Sequence, residues 1–207
     1  MKDQYKYGAK LYDRIFEPLN SGLRKLGLKM YPVKEGMKVL DIGCGTGAHL
    51  RLYQKQRCKI YGIDLSPAMI KVAGTKLGDE AHIFLGSAAD MEFDDDQFDL
   101  ILCFTVLHEM SQKIREDVLK EARRVLKSDG RMLLIDFHPG TIGNFKGIVS
   151  KIIITTAEIA AGGEHYRNYR HYMKNGGLQR LIDSMGFIIE DQKIVSGGNF
   201  GIFLLLK

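Results

Sequence analysis

Short, continuously apolar runs alternate with helical patterns between residues 37 and 137. Continuous apolar runs bounded by turn residues predict strands that are buried on both faces. The predicted strands are Lys38–Ile42, Lys59–Ile63, His82–Gly86, Phe98–Cys103 and Arg131–Phe137. Strands and helices that alternate at this spacing form right-handed βαβ units, so the pattern predicts an α/β fold with a doubly wound, mostly parallel sheet.

The segments between these strands carry helix signals. Ser66 and Pro67 predict an N-cap followed by the first helical position. Residues 113–126 place their apolar side chains on one helical face, as in an amphipathic helix. The Asp129-Gly130 pair after them predicts a turn before the fifth strand.

Both ends of the chain depart from this alternation. Near the N-terminus, apolar residues recur at helical spacing from 11 to 26, and Pro18 is predicted to break that helix. Near the C-terminus, a helix at 178–185 precedes strands Phe187–Val195 and Phe200–Leu206. A short Gly-rich link joins those strands into a hairpin, so the predicted seven-stranded sheet ends in an antiparallel strand.

We therefore predict one domain over residues 1–207. The predicted parts are an N-terminal helical cap (1–36), a cofactor-binding core (37–137), an acceptor-side insert or lid (138–177), and a last helix with its hairpin (178–207).

Composition excludes several classes of protein. The 207 residues are 45% hydrophobic and 27% charged, which is typical of a globular chain and not of a disordered or fibrous one. Three cysteines without CxxC spacing disfavour disulfide scaffolds and thiolate zinc sites, so we predict no metal site and a cytoplasmic location. The sequence shows no apolar run of membrane-spanning length and no signal-peptide pattern.

Charge is distributed unevenly along the chain. The total is +5, yet residues 39–137 carry thirteen Lys/Arg against sixteen Asp/Glu. A protein that coats nucleic acid would present a dominant basic surface, so no nucleic-acid partner is expected.

A glycine-rich turn follows the first predicted strand in the segment VLDIGCGTG, residues 39–47. Glycines in such a turn let a ligand approach the backbone closely. Asp41 ends the first strand, and Asp64 ends the second, where a carboxylate can accept both hydroxyls of a ribose. Asp90, after the third strand, can accept a hydrogen bond from an adenine amino group.

Two cofactor classes fit this turn. Gly43, Gly45 and Ala48 match the dinucleotide pattern G-x-G-x-x-A, but Asp41 would repel a pyrophosphate. S-adenosylmethionine carries a sulfonium and an ammonium and no phosphate, so it is the favoured ligand. A nicotinamide-dependent oxidoreductase and a non-catalytic S-adenosylmethionine-binding module remain the alternatives.

These motifs resemble those of the class I S-adenosylmethionine-dependent methyltransferases, in the style of the ubiquinone/menaquinone C-methyltransferases and small phospholipid N-methyltransferases. The resemblance lies in VLDIGCGTG, IYGIDLSPAMI, GSAADMEFDDDQFDLILCFTVLHEM and VLKSDGRMLLIDF, and it covers about residues 33–137. It implies that the methionine portion is lined by Gly43, Cys44 and Gly45, and that the sulfonium lies above Phe104 and Thr105. It also implies that Leu65 and Met69 join Asp64 around the ribose and adenine, and that Ala89 and Asp90 flank the adenine. The full predicted cofactor site comprises Asp41, Gly43, Cys44, Gly45, Gly47, Asp64, Leu65, Met69, Ala89, Asp90, Met91, Phe104 and Thr105.

The reaction is then an in-line methyl transfer that leaves S-adenosylhomocysteine, with a small molecule, a lipid or a quinol as acceptor. A general base is needed only if the acceptor must lose a proton. His108 and His138 are the favoured candidates because they follow strand ends; Glu109, Glu164 and His165 are others. The apolar segment at 148–161 predicts a lid or a segment that contacts a membrane surface. A monomer or a homodimer is expected.

Overall fold

Seven strands form one sheet in the computed structural model, which describes residues 8–207. The strands are β1 Lys38–Ile42, β2 Lys59–Asp64, β3 His82–Leu85, β4 Phe98–Phe104, β5 Leu126–Phe137, β6 Ile188–Val195 and β7 Phe200–Leu206. Their order is β3-β2-β1-β4-β5-β7-β6, and β7 runs antiparallel to both β5 and β6. The predicted α/β sheet with an antiparallel end is confirmed.

Helices cover both faces of this sheet. They are α1 Ala9–Met30, α2 Leu50–Gln54, α3 Pro67–Leu77, α4 Gln112–Val125, α5 Phe145–Ala160, α6 Gly163–Lys174 and α7 Gly177–Met185. Strand β4 is buried along almost its whole length, whereas the edge strands β3 and β6 are mostly exposed. None of the described helices combines the length and the apolar character that crossing a bilayer requires.

Two local predictions were wrong. Pro18 does not break the N-terminal helix, because α1 continues through it to Met30. Asp129-Gly130 is not a turn between elements but lies inside β5, where the register against β4 shifts between Phe98 and Leu100. The extra residues of β5 form a bulge, and the pairing of β5 with β4 resumes at Arg131.

Part of the N-terminal cap prediction cannot be compared with the structure. The aromatic and apolar residues of the N-terminal segment predict a helix that closes over the ligand-binding edge of the sheet. Of these residues, Tyr5 and Tyr7 lie outside the described part of the chain, as do the side chains of Leu11, Tyr12, Ile15 and Phe16. The described side chain of Asp13 hydrogen-bonds Thr46 and pairs with Lys76. Helix α1 is therefore anchored to the glycine-rich turn and to α3.

Asn144→Ala should lower the free energy of unfolding by about 1 kcal/mol, the usual effect of losing an N-cap. The Asn144 side chain accepts a hydrogen bond of 2.8 Å from the Gly147 backbone N–H at the start of α5. Urea denaturation of both proteins measures the loss. Lys146→Ala, an exposed change in the same turn, is the control and should leave the midpoint nearly unchanged; equal midpoints for all three proteins would contradict the capping role.

Candidate active site

A cleft of about 560 Å³ opens at the carboxyl ends of β1, β2 and β4. This edge of a doubly wound sheet is where ligands bind. The cleft is lined by Arg24, Asp41, Gly43, Cys44, Gly45, Thr46, Ala48, His49, Ile63, Asp64, Leu65, Ser66, Met69, Gly86, Ser87, Ala88, Phe104, Thr105, Val106, Glu109, Met110, Ser111, Ile114, Val118, Glu164, His165 and Asn168. One end therefore consists of the glycine-rich turn, and the other includes residues of α6.

The glycine-rich turn needs glycine at three positions, because Gly43, Gly45 and Gly47 all have left-handed φ angles. Gly43 and Gly45 have φ angles of +67° and +53°, which other residues rarely adopt. A Cβ at Gly43 would come within 2.7 Å of Val106, whereas a Cβ at Gly45 would meet no atom within 4 Å. At Gly45 the turn thus presents bare backbone with open space beside it.

Asp64, at the end of β2, is held in place by backbone amides. Its carboxylate oxygens accept hydrogen bonds of 2.8 Å from the N–H groups of Gly45 and Ser66. These bonds fix the side chain at the rim of the cleft, and they join the glycine-rich turn to the start of α3.

Asp41, at the end of β1, is buried without a full set of partners. Its Oδ1 atom has no hydrogen-bond partner in the part of the chain that the structure describes. Burial raises the pKa of Asp41 to about 8, although Arg24 acts in the opposite direction. His49 Nδ1 lies 4.0 Å from its Oδ2 atom, but burial and Arg24 lower the pKa of His49 to about 3, so this imidazole is neutral. The position favours a cationic ligand.

Arg24 and His49 are cleft residues that the sequence did not reveal. Arg24 comes from α1, pairs with Glu17 and lies over the Phe104 ring at 4.6 Å from its centroid. His49 packs edge-on against Phe104 as well. Neither position belongs to a motif, because tertiary packing alone brings α1 and the start of α2 to the cleft.

Nine of the thirteen predicted cofactor residues line the cleft: Asp41, Gly43, Cys44, Gly45, Asp64, Leu65, Met69, Phe104 and Thr105. Thr105 adopts a left-handed φ of +48°, and such backbone strain is common at functional sites. Burial, aided by Asp41, raises the pKa of the Cys44 thiol well above its usual value, so Cys44 is not a thiolate nucleophile.

The other four predicted residues do not line the cleft. Gly47 faces α3, where an added Cβ would lie 2.6 Å from Leu77. After β3, the cleft is lined by Ser87 and Ala88, ahead of the predicted Ala89, Asp90 and Met91 in the chain. Of these three, Asp90 is exposed and Met91 is buried.

The two predicted bases also lie away from the cleft lining. His138 bends back on its own loop, where its Nδ1 atom accepts a 3.0 Å hydrogen bond from the Gly140 N–H. His108 is buried, with its Nδ1 atom 2.7 Å from Asp136 Oδ1. Burial lowers the pKa of His108, but Asp136 and Glu158 outweigh it and raise the pKa to about 10. A histidine already protonated at neutral pH cannot act as a base there.

At the α6 end, Glu109 and His165 line the cleft in place of those two histidines. His165 Nε2 lies 2.7 Å from Glu158 Oε2, and His165 Nδ1 lies 4.0 Å from Glu109 Oε2. Burial opposes ionisation of Glu158, yet its two histidine neighbours lower its pKa to about 2. A polar network of imidazoles and carboxylates therefore borders the α6 end of the cleft.

The fold and the cleft define an α/β protein with carboxylates at the edge of the sheet where ligands bind. Comparison with known proteins identifies the class. A family model described as a methyltransferase domain matches residues 40–134. Demethylmenaquinone methyltransferase of Thermotoga maritima is 30% identical over 180 residues, which cover 81% of this chain and 77% of that protein.

Two further comparisons agree. The ubiquinone/menaquinone biosynthesis C-methyltransferase UbiE of Laribacter hongkongensis is 35% identical over 139 residues, which cover 62% of this chain and 56% of the relative. The structure of Haemonchus contortus phosphoethanolamine N-methyltransferase 2, in complex with S-adenosylmethionine, matches with a TM-score of 0.71 at 17% identity; the match covers 98% of this chain and 57% of that one.

The chain belongs to the S-adenosylmethionine-dependent methyltransferases, the family of these relatives. It is an enzyme that transfers a methyl group from S-adenosylmethionine, and the nicotinamide alternative is not favoured. The cleft fits this cofactor, because Asp41 presents to a cationic ligand a buried carboxylate oxygen for which the described residues supply no hydrogen-bond partner. The cofactor supplies an activated methyl carbon; the protein must align the acceptor and exclude water.

Proposed function

We propose that this enzyme methylates a lipid-like, quinol-type acceptor that it collects at a membrane surface. The observation that carries the proposal is an exposed apolar stripe on α5, the helix that also contributes Glu158 to the network beside the cleft. The names of the Thermotoga and Laribacter relatives support a quinone-type acceptor.

Within the cleft, we assign the cofactor to the end formed by the glycine-rich turn. Asp64 would accept the ribose hydroxyls, since its amide contacts already fix its orientation. Asp41 would pair with the ammonium group, which supplies the partner that its Oδ1 atom lacks among residues 8–207 as described. Ser87 and Ala88 would border the adenine, in place of Ala89 and Asp90.

The acceptor is then assigned to the α6 end. Met110, Ile114 and Val118 give this end apolar walls, while Glu109 and His165 supply polar groups. An aromatic ring with hydroxyl groups matches that combination, since its faces are apolar and its edge is polar.

The apolar stripe on α5 consists of Phe145, Ile148, Val149, Ile152, Ile153 and Ile159. Phe145 is 78% exposed and Ile152 is 61% exposed, although the opposite face of the helix packs inward through Gly147 and Glu158. Residues 138–180 carry six Lys/Arg against two Glu. An apolar stripe within a basic region matches an anionic lipid surface, where apolar burial and charge attraction act together.

A double variant, Phe145→Ser with Ile152→Ser, should weaken binding to vesicles of phosphatidylglycerol and phosphatidylcholine at least tenfold. The reason is the loss of two exposed side chains, each contributing about 1.5–3 kcal/mol when it enters an apolar phase. Co-sedimentation measures the bound fraction.

The matched control is Ile188→Ser with Ile194→Ser, which removes two exposed isoleucines from the edge strand β6. It should bind vesicles like the unchanged protein. The membrane part of the proposal would be contradicted if the double variant on α5 bound vesicles as tightly as the double variant on β6. It would also be contradicted if the unchanged protein did not bind vesicles.

A further inference from the structure

We propose that His108, Glu158 and His165 form a binding site for one divalent transition-metal ion, of the kind that imidazole and carboxylate ligands select, such as Zn²⁺. One potential ligand atom from each residue lies within 4.8 Å of the other two, and all three residues are buried. They come from the turn after β4, from α5 and from α6. This proposal does not depend on which acceptor the enzyme methylates.

The distances fit such a site. Glu158 places one oxygen 2.7 Å from His165 Nε2 and the other 3.6 Å from His108 Nε2. Metal–ligand bonds of about 2.0–2.2 Å separate neighbouring ligand atoms by roughly 3–3.5 Å. The three ligand atoms lie within 4.8 Å of one another, so side-chain shifts of up to about an ångström would bring them to these separations around an ion.

The outer contacts of both histidines support this interpretation. His108 Nδ1 faces Asp136 Oδ1 at 2.7 Å, and His165 Nδ1 faces Glu109 Oε2 at 4.0 Å. A histidine that binds metal through one nitrogen almost always directs the other to a carboxylate or a carbonyl, which fixes the tautomer and the orientation of the ring. Here both Nε2 atoms face Glu158, and both Nδ1 atoms face separate carboxylates.

Asp136 is itself rigidly held. Its carboxylate also accepts hydrogen bonds from the backbone N–H groups of Leu107 at 3.0 Å and Phe137 at 2.7 Å. The outer partner of His108 is therefore preorganised by the ends of β4 and β5, as a binding site for an ion requires.

The charges and the position of the cluster indicate what kind of ligand fits. Glu109, Asp136 and Glu158 surround two imidazoles, so three carboxylates would attract a dication once the imidazoles are neutral. Two nitrogens and one carboxylate suit Zn²⁺ or Fe²⁺ better than Mg²⁺ or Ca²⁺, which prefer oxygen ligands. Because His165 and Glu109 line the cleft, the ion has a route of entry.

The consequence for the reaction rests on the proposed function. An ion bound beside the acceptor end would lower the pKa of an acceptor hydroxyl, and the released proton would pass to water through the cleft. The anionic ring would attack the methyl carbon while the bond from that carbon to sulfur breaks, which releases S-adenosylhomocysteine, and the methylated ring carbon would then lose its hydrogen as a proton to water. Neither histidine would then have to serve as the base.

The test uses the full chain without an affinity tag, treated with chelator and titrated with Zn²⁺ in a calorimeter. We expect one ion per chain, and at least tenfold weaker binding by His165→Gln and by Glu158→Gln. Asp136→Asn should weaken binding about 10- to 100-fold, the usual effect of losing an outer carboxylate. Circular dichroism establishes that each variant is folded.

His171→Ala, which removes an exposed histidine from the same helix, is the matched control and should bind like the unchanged protein. The site would be overturned if the unchanged protein did not bind one Zn²⁺ per chain, or if folded His165→Gln and Glu158→Gln bound Zn²⁺ as tightly as the unchanged protein. The cluster would then be a buried hydrogen-bond network only. Because the readout is binding of Zn²⁺ alone, an acceptor other than a quinol would overturn the proposed function without affecting this result.

Discussion

Asp41→Asn will stabilise the cofactor-free protein at pH 8 and weaken its binding of S-adenosylmethionine. Burial is the main cause that raises the pKa of Asp41 to about 8, and the nearby charges are those of Arg24 and Asp64. At pH 8 the folded protein therefore carries a buried carboxylate that is ionised in about half of the molecules. Asparagine removes that charge and keeps the shape of the side chain.

The sign follows from proton linkage. An unfolded Asp ionises near pH 4, so between pH 4 and 8 the folded state holds a proton that the unfolded state has lost. The free energy of unfolding of the unchanged protein should thus fall as the pH rises through this window. Each unit of pKa shift corresponds to about 1.4 kcal/mol, so the full loss is a few kcal/mol. Asp41→Asn should remove this loss, because asparagine does not titrate.

The effect on binding has the opposite sign. The ammonium of S-adenosylmethionine loses a charge-assisted hydrogen bond in Asp41→Asn, which predicts about 10- to 100-fold weaker binding at pH 8. For the unchanged protein, affinity should rise from pH 6 to pH 8 as Asp41 ionises, and the variant should lack this rise. Thermal unfolding and calorimetry at three pH values measure both effects. A variant that is less stable at pH 8 and binds as tightly would refute this account of Asp41.

Asp64→Ala should weaken the binding of S-adenosylhomocysteine by about 1–3 kcal/mol, or about 5- to 150-fold. The substitution leaves the ribose hydroxyls without their acceptor, and it also frees the N–H groups of Gly45 and Ser66. Asp64→Asn keeps one acceptor oxygen and should lose less. Calorimetric titration of the three proteins gives the affinities.

Asp90→Ala is the informative control for this series. Asp90 was predicted from the sequence to contact adenine, yet its side chain is exposed and the cleft is lined by Ser87 and Ala88 instead. The Asp90→Ala variant should bind S-adenosylhomocysteine as tightly as the unchanged protein does. If Asp90→Ala lost as much affinity as Asp64→Ala, adenine would lie further along this loop than we propose.

The sequence alone was sufficient for the sheet, and nine of the thirteen residues that it predicts for the cofactor site line the cleft. Strands that are buried on both faces have continuously apolar sequences. Strand β1 begins and ends where its apolar run predicts, at Lys38 and Ile42. Asp41 and Asp64 could be located because strand ends in a parallel sheet converge on one edge. Predictions from local sequence failed where tertiary packing determines the structure. Pro18, for example, was predicted to break the N-terminal helix but lies inside α1.

The acceptor end could not be predicted in the same way. Glu158 and His165 belong to different helices, and His108 follows a strand some fifty positions earlier in the chain, so no short motif joins them. Arg24 reaches the cleft only because α1 packs across it. Residues that tertiary packing assembles leave no spacing pattern, and the sequence therefore favoured His138, which the structure places away from the cleft.

The most direct test of the acceptor is the fate of the transferred methyl group. The enzyme is incubated with methyl-labelled S-adenosylmethionine and a whole-cell extract, and the label is then partitioned between organic and aqueous phases. We expect label in the organic phase, and at least tenfold less of it with the Phe145→Ser, Ile152→Ser variant when the acceptor is supplied in vesicles. Label confined to the aqueous phase would contradict a lipid-like acceptor and identify a polar metabolite as the substrate.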